Sequence, residues 1–296
     1  MNTLVGSLDE PSKSFLFDSL IAERVDNSKI SQIIDDTLRK LHVERPNFYL
    51  LLSDAAPYMI KAGKNLKNFY ENMSHVTCFS HLLHNCAMEI KSHFKDIDFL
   101  IASIKTATVK NHSRRSMFSE IGSPPNPVVT RWGSWLESCA YYAEHLPKVI
   151  EIVNNFEDDG LISQRAKEAV AQPSLTASLV SVSQYKKIVT MIKNFESNSY
   201  TLLAAYTDMK NLRFQNDLCR IEDYISQRIE KNEAKIICEM TDAKFSPAEY
   251  ALLQNAQPTS ADVERSFSLS KNILKENRNF ASENIGDYII CAFNFK

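Results

Sequence analysis

Residues 47–54 run NFYLLLSD, and this stretch decides the fold class. Five apolar residues in a row, Phe48 to Leu52, end at Ser53 and Asp54. That is the pattern of a strand covered on both faces, with its carboxyl end opening to solvent at the acid. Working outward, MNTLVGSL and SFLFDSLIA are short apolar runs separated by Asp9, Pro11 and Ser12, which predict a hairpin-type loop. From Asn27, with Ser28 as the expected cap, Ile30, Ile33, Ile34, Leu38 and Leu41 recur at helical spacing until Pro46 and Asn47 close the helix. Downstream come a helix around Ile60 to Tyr70, a short strand HVTC at 75–78, and a helix through Leu82, Leu83, Cys86 and Ile90. Strands alternating with helices predict an α/β layer.

From Phe94 to about Lys231 the apolar period is 3.6. Phe94, Ile97, Leu100, Ile101 and Ile104 form one stripe; Val149, Ile150, Val153 and Phe156 form another. Leu179, Val182, Tyr185, Val189, Ile192 and Phe195 form a third, and Leu218, Ile221, Ile225 and Ile229 a fourth. GSPPNPVVTRWGSW at 122–135 interrupts this region with three prolines and two glycines, predicting an extended loop before a helix near Trp135. After Ser246 a last helical block has Ser260 as cap and Asp262 and Glu264 in the first turn, where the helix dipole favours acids. Phe267, Leu269, Ile273 and Leu274 follow, then the apolar tail DYIICAFNF. The expected fold class is α/β plus all-α, in three parts: residues 1–93, a helical region 94–245, and a closing segment 246–296.

Composition excludes several functions. The six glycines are too dispersed to build a phosphate-cradling loop, which removes dinucleotide and P-loop chemistry and disfavours an all-β architecture. With 34 basic against 36 acidic residues the net charge is -2, so any DNA contact is local rather than a whole-chain electrostatic effect. No run approaches 18 apolar residues and MNTLVGSLDEPSK has no signal-peptide pattern, so no membrane partner is expected and the localisation is nuclear or cytoplasmic. The six scattered cysteines are expected as buried thiols.

Asp54 is a candidate functional acid because loops at strand carboxyl ends carry chemistry in α/β folds; the simpler role is to cap the next turn. Glu264 has the simpler role of serving the helix dipole. HVTCFSHLLHNC places Cys78 and His81 at a metal half-site gap, although no second half-site of comparable quality follows and the apolar residues between them suit a buried helix. No order of Ser, His and Asp or of Cys, His and Asn nominates a nucleophile.

Four segments in one order, LLLSDAAPYMIKAG, HVTCFSHLLHNCAMEI, PPNPVVTRWGSWLESCAYYAEHL and PTSADVERSFSLSKNILKENRNFASENIGDYIICAFN, together resemble the catalytic body of the hAT superfamily of DNA transposases, the hobo and Activator group. The resemblance implies an RNase H-like αβ core interrupted by a large helical insertion and closed by a C-terminal helix. It also implies an acid triad, Asp, Asp and Glu, holding two divalent ions, Mg or Mn, for strand cleavage and transfer; ions about 4 Å apart need anionic neutralisation. By motif match Asp54 corresponds to the second acid and Glu264 to the third, both as vestigial metal ligands. Cys78 and His81 match the family's Cys-x-x-His motif beside the active site. Arg131 and Trp132 match the DNA-contacting aromatic segment at the start of the insertion. Arg265, Phe267, Arg278 and Ile289 fall in the family's dimerisation region.

The departure is at the amino terminus. In relatives the first acid lies on a strand just before a segment like NTLVGSL, so an incomplete core lacking its first strand is expected, and Asp9, Asp18 and Asp26 are poor substitutes. The expectation is a transposase-derived protein that dimerises, retains DNA contact, binds no small-molecule substrate, holds no cofactor or only weakly bound Mg or Mn, and does not cleave DNA. The alternatives are an active metal-dependent transposase and a zinc-dependent interaction module.

Overall fold

A computed structural model describes residues 1–11, 13–20, 26–128, 133–158, 160–276 and 282–295, without the side chains of 274–276 and 282–284. In chain order the elements are β1 (Asn2–Gly6), β2 (Ser14–Ser19), α1 (Asn27–Lys40), β3 (Leu50–Ser53), α2 (Pro57–Lys67), β4 (Ser74–Thr77), α3 (Phe79–His93), α4 (Lys95–Val109), α5 (His112–Ser116), α6 (Ser134–Asn154) and α7 (Leu161–Val170). They continue as α8 (Leu175–Ser183), α9 (Lys186–Phe195), α10 (Leu202–Asn211), α11 (Ile221–Lys231), α12 (Ala234–Glu239), α13 (Pro247–Gln254), α14 (Ala261–Glu276) and α15 (Ser282–Asn294). The protein is mostly helical, with two small sheets. Among the described residues no helix is long and apolar enough to cross a membrane.

The chain divides into two compact units: residues 1–82, 195–211 and 226–296 form one, and residues 83–194 and 212–225 the other. The helical period read over 94–245 therefore contributes to both.

In the first unit, β1 and β2 form an antiparallel hairpin with a bulge between Thr3 and Leu4, and β3 and β4 form a parallel pair with Leu50 opposite Ser74. The two pairs are separate sheets. Helix α1 starts where Asp26 accepts the Lys29 N–H at 2.8 Å; Asp26, not Ser28, is the cap. Its buried stripe of Ile30, Ile34 and Leu38 meets Ala62 and Leu66 of α2 together with Tyr70 and Met73. Each such aliphatic side chain contributes about 1.5–3 kcal/mol when fully buried. Gly63 is required here: a Cβ on it would stand 2.2 Å from His75 Nδ1, so the imidazole lies directly on the α2 backbone. Leu50, Leu51 and Leu52 are only half-buried. This departs from the expected coverage on both faces, because β3 has a neighbour on one edge alone.

The C-terminal helices also pack in the first unit. Ile273 of α14 and Ile285 and Ile289 of α15 join Leu16 of β2 in one apolar cluster. The second unit is a helical bundle in which α4, α6, α7 and α8 pack on one another. Its centre holds Ile97, Leu100, Ile104, Tyr142, Val149, Val153 and Leu179, all nearly inaccessible. The indole N–H of Trp135 donates to Asp98 Oδ1 at 3.2 Å. The stripe from Leu179 to Phe195 is broken into α8 and α9 near Tyr185, whose hydroxyl donates to Asp217 at 3.2 Å and accepts the Cys219 N–H at 3.3 Å.

Candidate functional site

Three segments distant in sequence converge beyond the carboxyl ends of β3 and β4. The parallel ladder continues one step past β4, where the Cys78 N–H donates to Ser53 O at 2.8 Å. This places Cys78 beside the peptide that leads into Asp54. The Phe79 N–H then donates to Pro258 O at 3.1 Å, tying the start of α3 to the segment before α14. Ser260 is the pivot. Its N–H donates to Cys78 Sγ at 3.3 Å and its hydroxyl lies 3.5 Å from His81 Nδ1. One turn into α14, Glu264 Oε1 is 3.6 Å from His81 Nε2. His81 is therefore held between Cys78 and Ser260 on one side and Glu264 on the other.

Burial sets the electrostatics. Cys78 is 2% exposed. Burial pushes its thiol up, but hydrogen bonds with His81 and Ser260 outweigh this and hold it below the usual thiol value. Burial pulls His81 down, but its bonds to Cys78 and Glu264 dominate and raise it to about 10. The pair is a thiolate and an imidazolium, with Glu264 as the second anion on the ring.

A second polar group lies beneath it. The Ser53 hydroxyl donates to Asp54 O at 2.7 Å and stands 2.8 Å from His75 Nε2. With its proton already committed, Ser53 accepts from the ring, so His75 carries the proton on Nε2. Burial depresses the His75 pKa, which keeps the ring neutral. Its backbone N–H donates to Glu233 Oε2 at 2.8 Å, and Lys67 Nζ reaches Glu233 Oε1 at 2.5 Å. Neither Ser53 nor Glu233 stands out in the sequence, because each acquires its role through a partner brought by the fold.

Asp54 is half-buried at the end of β3, and its Oδ1 accepts the Ala56 N–H at 3.1 Å. This is the turn-capping geometry of an Asx residue. Asp54 and Glu264 attach to the same Cys78–Ser260 joint, the first through Ser53 and the second through His81. Among the described residues no three His, Cys, Asp or Glu side chains group as metal ligands. The side chains present therefore do not fit a two-ion centre, and none of the chemistry here is assigned to one. Cys78 and His81 bond to each other and to Ser260 and Glu264 rather than forming half of a zinc site.

Arg131, Trp132 and Arg278 lie outside the described residues. Arg265 is exposed; it pairs with Asp262 and donates to Glu196 O at 3.0 Å. Phe267 is 40% exposed, whereas Ile289 is 3% exposed within its own chain's core. Ile289 is thus not a surface residue for a partner, because packing of α15 on β2 covers it. Compared with protein-family models and with curated proteins, the chain matches none.

Proposed function

We propose that this chain is a hAT-type transposase derivative with an RNase H-like core, whose retained properties are self-association and DNA contact rather than strand cleavage. The observation that carries the reading is the joint made by Cys78, His81, Ser260 and Glu264. It brings the Cys-x-x-His motif onto the first turn of the C-terminal helix, beside the strand end that bears Asp54, which is the arrangement the motif order implies. An antiparallel hairpin and a parallel pair covered by helices also suit such a core.

Absence of cleavage follows from the acids this chain brings to the joint. His81 engages Glu264, Asp54 caps its own turn, and removing an essential acid from a two-ion centre removes most of its transition-state stabilisation. Incubation of the chain with supercoiled plasmid and Mg²⁺ or Mn²⁺ is expected to give no nicking above buffer. Nicking that disappears in Asp54→Ala contradicts the reading. Self-association rests on the large apolar side chains that folding leaves exposed on the hairpin and C-terminal helices: Phe15 at 58%, Tyr288 at 45% and Phe295 at 88%, together with Phe267.

A further inference from the structure

The two sheets of the first unit protect their outer edges and leave their inner edges open. On β4, the Thr77 N–H donates to Asn232 Oδ1 at 3.3 Å, Asn232 Nδ2 donates to Thr77 O at 2.9 Å, and Glu233 takes the His75 N–H. On β2, the Leu16 N–H donates to Asn294 Oδ1 at 2.8 Å and Asn294 Nδ2 donates to Leu16 O at 2.9 Å. One asparagine on each sheet thus imitates the next strand, a device that blocks pairing at an exposed edge.

Successive residues of a strand turn their peptide groups to opposite edges. The carbonyls of Tyr49 and Ser53 accept from Ser74 and Cys78, so Leu50 and Leu52 turn their N–H and C=O groups away from β4. Met1 and Leu20 exchange backbone hydrogen bonds, and Leu4 stands opposite Leu16, so Asn2 and Leu4 turn theirs away from β2. Among the described residues nothing pairs with these groups. Leu4, Val5, Leu50, Leu51 and Leu52 are correspondingly half-buried. Met1, next to β1, and Leu51, within β3, pack on the same α1–α2 cluster, so both open edges border one apolar floor.

We propose that the open edges of β1 and β3 receive one extended segment of another polypeptide, pairing with β1 on one side and β3 on the other and joining the two sheets. The unpaired groups are donors and acceptors in alternation at the strand repeat of about 6.8 Å per two residues, which a second extended backbone matches. Phosphates offer acceptors alone and leave the carbonyls of Leu50, Leu52, Asn2 and Leu4 unsatisfied. The half-buried leucines ask for apolar side chains on the face toward α1 and α2. This inference stands on the strand edges and does not depend on the transposase reading.

The probe is a fluorescein-labelled, acetylated heptapeptide of alternating Val and Thr, compared with the same peptide N-methylated at alternate residues. Fluorescence anisotropy with the full chain is expected to show saturable binding of the first peptide and at least tenfold weaker binding of the second. In Leu52→Pro the missing N–H lies on the open edge and the β3–β4 ladder is untouched; this variant is expected to bind the unmethylated peptide at least tenfold more weakly. No saturable binding of the unmethylated peptide, equal binding of the methylated one, or undiminished binding by a folded Leu52→Pro protein overturns the proposal. If circular dichroism shows Leu52→Pro to be unfolded, the two peptides on the unaltered protein decide it.

Discussion

His81 carries two anions on one ring, and this dominates the behaviour of the candidate site. Its pKa lies above the ordinary 6.5, at about 10, because Cys78 and Glu264 outweigh burial. The folded state thus binds the proton more tightly than the unfolded chain, so the stabilisation from this residue is complete below pH 6.5 and is lost as pH rises through about 10. Cys78 runs the other way: with its pKa below the usual 9.0, its contribution is present above pH 9 and lost as pH falls through its folded value. Glu264→Gln removes one anion from the imidazolium. The His81 midpoint followed by NMR of its ring protons is expected to fall below about 10, and an unchanged midpoint contradicts the Glu264 contact. The sequence pointed to Cys78, His81 and Glu264 as separate candidates. It did not show that Ser260, legible as a helix cap, also donates to Cys78 and meets His81, because that contact spans about 180 residues.

At the scale of elements, the two asparagines that close the outer strand edges carry weight out of proportion to their size. Asn232 is 5% exposed and bonds to the Thr77 N–H, C=O and hydroxyl. Asn232→Ala leaves those backbone groups without their partner at the edge of β4, and the expected loss is about 1–3 kcal/mol. Urea unfolding reads this as a lower midpoint at unchanged slope; an unchanged midpoint shows that the edge is already satisfied by water. Strand and helix positions were legible because unbroken apolar runs and the 3.6 period survive in a single sequence. NFYLLLSD and HVTC did become the paired strands β3 and β4. Edge protection was not legible, since Asn232 and Thr77 are 155 residues apart and nothing local marks either. The break between α8 and α9 was hidden for a related reason: the apolar stripe continues through Tyr185, and the tertiary bond to Asp217 accompanies the break.

For the whole molecule, the question is what meets the apolar surface that folding leaves exposed. The tail was expected to exceed what its own chain can bury. The structure divides it: Ile285 and Ile289 enter the core on β2, while Tyr288 and Phe295 remain exposed. Asn294 is bonded to Leu16, so Phe295 and Phe15 extend from neighbouring positions of one anchored pair. Burying such side chains against a second copy stabilises at about 25 cal/mol per Å² of apolar area. Deleting the tail is a poor probe, because it also removes core residues. The double variant Phe267→Asp with Phe295→Asp leaves Ile285 and Ile289 in place and charges only the exposed positions. Size-exclusion chromatography with light scattering on the full chain and on this variant tests self-association most directly. The account predicts the mass of two chains for the unaltered protein and of one chain for the double variant; a single-chain mass for the unaltered protein, or the same two-chain mass for both, contradicts it.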